Sequence, residues 1–574
     1  MSDASFFTQP TQQWQRRYEA LRASFVEKLP TKVVAHRFGY TPAYIRLLRH
    51  QFTHGQIDFS DPVVEGKASR RVVTAATRAK IRSWREQQRS AAEIAELLSS
   101  SQEGETISVR TVERVLAEEG YGKLPRRKRM EMGLTVKGAE IPERSQRITL
   151  SELNGQRFVS SSAGVFLFAP FLEQLQIDKI IQEAGLPGSK VIPAMSYLMS
   201  FLALKLLGTE RYAHAGDHGF DPGLGVFAAL NVLPKCTAMS VYSYSLDDQQ
   251  IQGLQKAFIR HAVRLGLYTG NTINLDFHTA PHFGDESVLE EHWSGSRNKR
   301  MKGALTLFAQ DSDSKLMLYS TADILRDEAD EQVLEFLSFW EGVQRGVQPM
   351  FVFDSKFTTY GKLSLLDDAE VKFLTLRRRG KKLLEGVENL TEWTRIHIDK
   401  VKRKYANPLV HESIIRLNGY HADIRQLIIR DNGREKPSFL NTNDFESSLK
   451  TLVSTYGSRW HVETGIAEAV KFFHLNALSS PILVKIHFDV TMTMIADTLY
   501  TMLAQRLRGF SKCDAPKIYR HFVRGKGVID IQGRTISVTY PRRAHNPILR
   551  RVGWQDLPNT LPGLPGAKID MQFQ

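Results

Sequence analysis

The run from Pro349 to Phe353 is the part of the sequence that most narrows the choice of fold. It is short, continuously apolar and followed directly by Asp354. Such a run is typical of a strand covered on both faces, as in a sheet with helices on each side. Ligands of open sheets gather at the carboxyl ends of their strands. The sequence therefore predicts an α/β fold with Asp354 among the groups that meet a ligand.

A second aspartate lies on a strand of a different kind. Between residues 271 and 278 apolar and polar side chains alternate, which is the period of a half-buried strand, and Asp276 belongs to the polar face. Two further strands, 304–308 and 315–319, are separated by the turn residues 311–314. The sequence thus predicts a three-stranded meander that begins with the Asp276 strand.

A third carboxylate, that of Glu463, is predicted on a helix much later in the chain. Arg459 lies one helical turn before Glu463 and Tyr456 two turns before it, so all three project from one side. An ordinary ion pair within a helix would explain Glu463 and Arg459. The alternative is a functional site, in which Arg459 or a metal ion neutralises a carboxylate at the rim of the core. The apolar stripe beside Glu463 consists of Val462, Ile466, Ala469 and Phe473.

If Asp276, Asp354 and Glu463 meet at one edge of the sheet, they repel one another and need a cation to stay ionised. Oxygen ligands, in a chain with only two cysteines, favour Mg²⁺ or Mn²⁺ over zinc. A pair of such ions would activate a water or a DNA 3′-hydroxyl and stabilise the leaving oxygen of a phosphodiester. Each aspartate alone is a common strand-end residue, so the hypothesis depends on all three carboxylates.

The charge of the chain favours a polyanionic partner. The formal net charge is +15, with 26 Lys and Arg against 17 Asp and Glu in residues 1–150 and 12 against 2 in residues 506–551. Nucleic acid and an anionic membrane surface both fit this balance. The longest apolar run, residues 191–207, is short for a membrane span and contains Lys205, so we expect a buried helix there. Residues 1–10 have no signal-peptide pattern, and we expect a soluble cytoplasmic protein.

The basic N-terminal arm has the layout of a helix-turn-helix unit. Helices are predicted at residues 16–29 and 31–38, and a third opens at Thr41-Pro42, where Thr41 suits the N-cap. That third helix would present four basic or aromatic side chains to DNA. These side chains are Tyr44, Arg46, Arg49 and His50.

A second unit of the same kind follows at residues 77–118. Its middle helix opens with the capping box from Ser90 to Glu93, and its last helix, which opens at Ser108, carries Arg110 and Arg114 one turn apart. Residues 125–129 form a basic linker. Small helical bundles with solvated charges are the alternative. Two such units in tandem on a basic arm favour DNA binding.

The sequence resembles the DDE transposases of bacterial insertion sequences that carry a Tyr-Arg-Glu-Lys signature, over about residues 150–550. The most specific part of the resemblance is Tyr456-x-x-Arg459-x-x-x-Glu463. Lys471 departs from the family spacing, because it lies eight positions after Glu463 rather than seven, but its long stem can still reach a phosphate. The matching positions are Asp276, Asp354, Glu463, Tyr456, Arg459 and Lys471.

The resemblance implies a ribonuclease-H-like mixed sheet flanked by helices, with a β-rich insertion and two all-α helix-turn-helix units in front. It implies a transposase that cleaves and joins DNA strands with two Mg²⁺ or Mn²⁺ ions held by Asp276, Asp354 and Glu463. Tyr456 and Arg459 would hold phosphates of double-stranded DNA in the element ends, within a homodimer. Two alternatives stay open: a catalytically inactive DNA-binding protein derived from such an enzyme, and a ribonuclease-H-like nuclease that does not join strands.

These features predict six regions along the chain. The tail after Pro558, with Pro562 and Pro565, is predicted to be loose. The regions are a helix-turn-helix unit at 1–60, a second unit with its linker at 70–130, a helical region at 150–265, a catalytic core at 266–370 and 445–510, a β-rich insertion at 371–444, and a basic region at 511–574.

Overall fold

A computed structural model of the chain divides into two compact units, Met1–Glu140 and Ile141–Gln574. The predicted basic linker 125–129 lies outside the described residues. The six predicted regions are finer than this division and stay a prediction. The structure describes residues 10, 12–57, 59, 73–100, 107–122, 124, 142–284, 289–295, 297–344, 346, 348–357, 359–399, 406–433 and 435–574.

The described part of the N-terminal unit is helical and has two small cores. Leu21, Val34 and Ile45 are buried in the first core, and Ile81, Ile94 and Val112 in the second. The first core is formed by α1 (Gln13–Phe25), α2 (Thr31–Phe38) and α3 (Pro42–Thr53), and the second by α4 (Ala75–Glu86), α5 (Ala91–Ser100) and α6 (Val109–Glu118).

The helix starts in this unit follow from capping side chains. Thr41 Oγ1 accepts a hydrogen bond from the backbone N–H of Tyr44 at 3.2 Å, and Pro42 occupies the first helical position. Ser90 and Glu93 form the predicted capping box, with distances of 2.6 and 3.3 Å. Ser108 caps α6. The predicted helix starts are therefore confirmed, while the DNA-binding role of these units stays a prediction.

Residues 150–264 of the second unit are mostly helical. The predicted buried helix is confirmed, because all residues from Ser196 to Leu206 are buried, Lys205 included. None of the helices in the described part of the chain is both long and apolar enough to cross a membrane. The elements are α7 (Leu150–Leu153), β1 (Arg157–Ser160), α8 (Ala169–Gln174), α9 (Ile177–Glu183), α10 (Ala194–Leu206), α11 (Pro222–Phe227), α12 (Cys236–Tyr244) and α13 (Asp248–Arg264).

A mixed sheet begins after these helices. The predicted meander is confirmed, because its first, second and third long strands pair antiparallel in sequence. A short hairpin partner at Glu291–Ser294 lies beside the second of them, and the sequence reading did not predict it. The elements are β2 (Thr272–Pro281), β3 (Glu291–Ser294), β4 (Lys299–Asp311), β5 (Met317–Ile324), α14 (Gln332–Val343), β6 (Met350–Phe353), α15 (Tyr360–Asp368) and β7 (Phe373–Leu376).

Strand β6 is covered on both faces, as its apolar run predicts. Phe351 and Phe353 belong to the large core, and Val352 belongs to a separate apolar cluster on the opposite face. β6 runs parallel to β2 on one side and to β7 on the other. Among the described residues the order across this part of the sheet is β5, β4, β2, β6, β7.

The predicted β-rich insertion continues the same sheet rather than forming a separate one. Its strands add to β7 in the order β11, β10, β9, β8, each pair antiparallel. The segment 371–376 was assigned to the insertion, but it forms β7 and pairs in parallel with β6. The elements are α16 (Lys381–Val387), β8 (Thr394–Arg395), β9 (Leu409–Arg416), β10 (Asp423–Arg430) and β11 (Ser438–Thr442).

Three helices follow the insertion: α17 (Leu449–Ser458), α18 (Trp460–Phe472) and α19 (Leu483–Arg506). We expected one helix around Glu463, but the helix is divided, and Arg459 lies at the junction of α17 and α18. Leu452 and Val453 of α17 pack on the same apolar cluster as Val352.

A second sheet joins both ends of this unit. β1 pairs antiparallel with β12, which forms the predicted hairpin with β13. The prediction of a loose tail after Pro558 was wrong, because β14 pairs in parallel with β13 and Ile569 is buried. The elements are α20 (Ala515–Ile518), β12 (Gly527–Gln532), β13 (Thr535–Tyr540), α21 (Asn546–Leu549) and β14 (Lys568–Phe573).

Candidate active site

The register of two parallel strands brings Asp276 and Asp354 to one edge of the sheet. Asn274 of β2 is the partner of Val352 of β6. Asp276 and Asp354 each lie two positions further along, so they are neighbours on the same face, at about the 4.8 Å spacing of adjacent strands. The sequence prediction that these two aspartates approach each other is therefore supported by the register.

An aromatic stack fixes the segments that carry the two aspartates. The rings of Phe277 and Phe357 lie parallel, with centroids 4.0 Å apart and an interplanar angle of 9°. Phe357 is 1% exposed. Backbone N–H groups also orient the carboxylates: Phe277 donates to Asp276 Oδ1 at 3.0 Å, and Ser355 donates to Asp354 Oδ1 at 2.6 Å.

The carboxyl group of Asp276 is largely shielded from solvent, with 19% of its side chain exposed. Burial raises the pKa of Asp276 to about 6; Arg459 opposes this shift and Glu463 adds to it. Asp276 therefore changes its protonation state near neutral pH. Titration in this range is a common property of groups in functional sites.

Glu463 reaches the site from the first turn of α18. Val462 and Ile466 are buried against the large core, so the stripe predicted from the sequence does anchor this helix. Gly465 lets the helix approach β4 closely, because a Cβ there would lie 2.9 Å from Gln310 Nε2 and 2.8 Å from Met317 Cε. The Glu463 side chain itself points outward and is 56% exposed.

Arg459 links the strand and the helix. Its Nη1 donates to Asp276 Oδ2 at 3.1 Å, and its Nη2 donates to Glu463 Oε1 at 2.7 Å. Burial lowers the pKa of Arg459, whereas the nearby negative charges, that of Asp276 foremost, raise it. Together these charges outweigh burial, so the pKa lies above its usual value. The guanidinium is therefore a permanent cation between two acids. Arg459 and Glu463 do form the predicted ion pair. Arg459 also pairs with Asp276, which lies 183 positions earlier in the chain.

The three-carboxylate metal site stays a prediction. In the part of the chain that the structure describes, no group of three or more His, Cys, Asp or Glu side chains is placed to hold a metal ion. The oxygen donors have the chemistry that Mg²⁺ or Mn²⁺ prefers. In this structure the guanidinium of Arg459 lies between Asp276 and Glu463, in the position that an ion shared by these two carboxylates would take.

The two remaining residues of the signature lie in different surroundings. The guanidinium carbon of Arg459 lies 5.9 Å from the centre of the Tyr456 ring, which packs partly on the apolar cluster of α17. Lys471 is exposed in the last turn of α18, so it lies two turns beyond Glu463. Contacts of Tyr456 and Lys471 with DNA stay predictions.

Two supporting contacts were not found from the sequence. His278 Nε2 lies 2.7 Å from Asn476 Oδ1, which ties β2 to the segment after α18. Lys205 of α10 donates to the carbonyl of Phe473 at 3.2 Å and to Asp489 Oδ2 at 2.8 Å, which holds the carboxyl end of α18. Burial lowers the pKa of His278, so the ring is neutral at pH 7. The sequence did contain a signal for the second contact, because Lys205 is a charged residue inside an apolar helix.

The DNA-contact candidates of the N-terminal unit differ in exposure. Arg46 and Arg110 are exposed. Arg49 lies over the ring of Phe25 at 5.3 Å, and Arg114 pairs with Glu118 at 3.8 Å. Tyr44 is half-buried and packs on the first small core. Arg46 and Arg110 are thus the better placed of the five for an external anion.

Comparisons with known proteins point to one family. No curated protein matches the chain. Among solved structures, it is similar to a chain from a cryo-EM structure of a piggyBac transposase synaptic complex with hairpin DNA. The identity is 13% and the TM-score 0.34, over 64% of this chain and 82% of that one; a TM-score this low carries no argument. Residues 293–499, which include Asp354 and Glu463 but not Asp276, match the family model described as Transposase DDE domain. Residues 293–499 are therefore similar to a DDE transposase domain.

Proposed function

We propose that the chain is a DNA transposase of a bacterial insertion sequence, which cleaves DNA strands at the ends of the element and joins them to a target. One observation carries the proposal. Arg459 draws together Asp276 from a strand and Glu463 from a helix, beside the strand end that carries Asp354. This constellation lies in and just before the segment that matches a DDE transposase domain.

The order of strands supports the proposal. An antiparallel meander whose first strand pairs in parallel with a fourth, and that fourth with a fifth, is the order of a ribonuclease-H-like core. In that order the first and fourth strands are adjacent; Asp276 lies within the first strand, and Asp354 directly follows the fourth. The insertion extends the sheet from the fifth strand and leaves this edge open.

In the proposed reaction the residues of the site would have different roles. Asp276 and Asp354, held by the Phe277–Phe357 stack, would fix the reacting phosphodiester through divalent ions, and Glu463 would complete the set of ligands. Mg²⁺ or Mn²⁺, when bound, would supply activation of a water or a 3′-hydroxyl. Tyr456, Arg459 and Lys471 would hold DNA phosphates beside the site.

Basic surfaces would supply the remaining DNA contacts. The N-terminal unit would recognise the element end through Arg46 and Arg110, and residues 506–551, with their 12 Lys and Arg against 2 Asp and Glu, would clamp the duplex. Because two element ends must be joined in one reaction, we propose that the protein acts on DNA as a homodimer.

The test is strand cleavage with separate measurement of binding. A supercoiled plasmid carrying the DNA that flanks the coding sequence is incubated with the protein and Mg²⁺ or Mn²⁺. We expect nicked and joined products from the wild type and none from Asp276→Asn, Asp354→Asn or Glu463→Gln. In metal-free buffer the DNA affinity of these variants should change less than about threefold, because the basic surfaces are intact. Undiminished cleavage by any of the three variants would remove that residue from the site.

A second candidate function is favoured by the same cation. Arg459 already neutralises Asp276 and Glu463, as in a site that no longer binds metal. The chain would then be a catalytically inactive DNA-binding protein. Absence of metal-dependent cleavage together with tight DNA binding would favour it over the transposase, whereas cleavage without joining would favour a simple nuclease.

A further inference from the structure

The guanidinium of Arg459 lies where a divalent cation would have to lie. We propose that Arg459 keeps the metal site closed until a DNA phosphate draws it away, so that the affinity for divalent metal depends on bound DNA. The inference rests on the proposed function, because it assumes that the same carboxylates hold the metal. It assigns to Arg459 a positioning role that comes before any chemistry.

The argument begins with the contacts of the two terminal nitrogens. Nη1 bonds Asp276 at 3.1 Å and Nη2 bonds Glu463 at 2.7 Å, so the two carboxylates share one planar cation. A divalent ion bound to these oxygens would lie within a few ångströms of the guanidinium, where like charges repel strongly. The arginine and the metal ion therefore exclude each other from this position.

If Arg459 leaves this position, both the arginine and the carboxylates need new partners of opposite charge. Arg459 and Asp276 have only 14% and 19% of their side chains exposed, so separating them without new partners would leave two poorly solvated charges. A DNA phosphate offers the guanidinium another charge-assisted partner that can accept two hydrogen bonds. A metal ion offers the carboxylates a cation in exchange. Phosphate and metal thus have to arrive together.

The local structure allows this exchange. Arg459 lies at the junction between α17 and α18 rather than inside either helix, and Glu463, its other partner, is 56% exposed. The open side of the pair is therefore the side from which a duplex would approach. Because the coupling is an equilibrium property, metal must raise DNA affinity by the same factor by which DNA raises metal affinity.

The experiment is a titration of Mn²⁺ followed by electron paramagnetic resonance, with the full-length protein and without any cleavage assay. A duplex of about 20 base pairs of arbitrary sequence at low salt serves as the source of phosphates. For the wild type we expect DNA to tighten Mn²⁺ binding about tenfold or more. Without DNA, Arg459→Gln should bind Mn²⁺ about tenfold more tightly than the wild type, and DNA should add little.

Controls separate the role of Arg459 from general effects of charge and folding. Arg260→Gln breaks an ion pair of 3.1 Å with Glu183 elsewhere in the unit and should behave as the wild type. A titration of the duplex without protein measures the Mn²⁺ that the DNA itself binds. If thermal unfolding shows that Arg459→Gln is poorly folded, Arg459→Lys, which keeps the charge but not the fork, decides: we expect an intermediate Mn²⁺ affinity.

Two outcomes would overturn the inference. One is equal Mn²⁺ affinity of the wild type with and without DNA; the other is no gain in Mn²⁺ affinity in either Arg459 variant. Failure of the proposed function would look different. In that case the Mn²⁺ titrations would follow the expected pattern, while the wild type would cleave no plasmid.

Discussion

Phe277 and Phe357 lie face to face at 4.0 Å, although 80 residues separate them, and each follows one of the two aspartates of the candidate site. Phe277 is the residue after Asp276, and Phe357 is the third residue after Asp354. The stack therefore fixes the distance between two carboxylates that would otherwise repel each other. An apolar contact between the loops does this without adding another charge.

We expect Phe357→Leu to lower DNA cleavage about tenfold or more while costing only about 1–2 kcal/mol of stability, because the smaller side chain no longer holds the two segments in register. Cleavage rate and the free energy of unfolding are the two measurements. Phe227→Leu, at another fully buried ring packed edge-on at 5.6 Å from Phe166, is the control with a similar stability cost. Equal loss of cleavage in both variants would mean that stability alone is responsible.

The raised pKa of Asp276, about 6, predicts a pH dependence of stability in metal-free buffer. The folded protein holds this proton up to about pH 6, whereas the unfolded chain releases it near its ordinary pKa of about 4. The wild type should therefore lose about 2–3 kcal/mol relative to Asp276→Asn between pH 4 and 7, with no further change above that range. Denaturant unfolding of both proteins at several pH values measures this difference. A constant difference across the range would show that Asp276 is not shielded.

A second buried acid, Asp497, lines a cavity of about 260 Å³ behind α18, together with Glu468. Burial, and then the charge of Glu468, raises the pKa of Asp497 to about 7. The ionised form is thus disfavoured in the folded state, and the penalty grows from pH 4 to about 7. Asp497→Asn should raise stability at pH 8 by about 4 kcal/mol relative to its effect at pH 4. The exposed Asp178→Asn serves as control in the same thermal scans, and a matching rise there would contradict the explanation.

Gly465 predicts an exception to helix propensity. Alanine in a helix normally gains about 1 kcal/mol over glycine, but at position 465 its Cβ would meet Gln310 and Met317. Gly465→Ala should therefore push the Glu463 helix away from β4, lower cleavage and fail to stabilise. Gly386→Ala, in α16, is the matched variant, because nothing lies within 4 Å of its new Cβ. Thermal unfolding should show a gain for Gly386→Ala only.

The exposure of basic residues in the N-terminal unit predicts which of them contribute to DNA affinity. Arg110 is exposed, whereas Arg114 already pairs with Glu118. Arg110→Gln should weaken binding about five- to tenfold and lower the salt slope by about 1, and Arg114→Gln should do less. Affinity measured over a series of salt concentrations tests this. Lys179→Gln, on an exposed position of α9, controls for loss of one charge, and an equal effect there would remove the special role of Arg110.

Local patterns in the sequence predicted the elements well. The apolar run before Asp354, the alternation around Asp276 and the caps at Thr41, Ser90 and Ser108 all depend on neighbours in the chain, and the structure confirms them. The helix around Glu463 was predicted as continuous, because the interruption at Arg459 coincides with a contact to a residue 183 positions away. No local period can report such a contact.

Pairing between distant segments was the other feature that the sequence did not predict. Residues 371–376 read as part of an insertion, because nothing near them indicates that β6 is their partner. The prolines after residue 558 were typical of a loose tail, yet β13 offers an unpaired edge that β14 completes. The metal site was predicted from the acids alone. In the structure the cation beside Asp276 and Glu463 is Arg459, which the sequence suggests as the alternative to a metal ion.

The pairing of β1 with β12, and of β13 with β14, has a consequence for biosynthesis. The ribosome releases residues 157–160 long before it makes residues 527–573, and the early strand must wait without its neighbours until then. A chain that ends before residue 527 would thus contain Asp276, Asp354 and Glu463 but lack three of the four strands of this sheet. Loss of these late strands should therefore prevent folding of the unit even though all three acids are present.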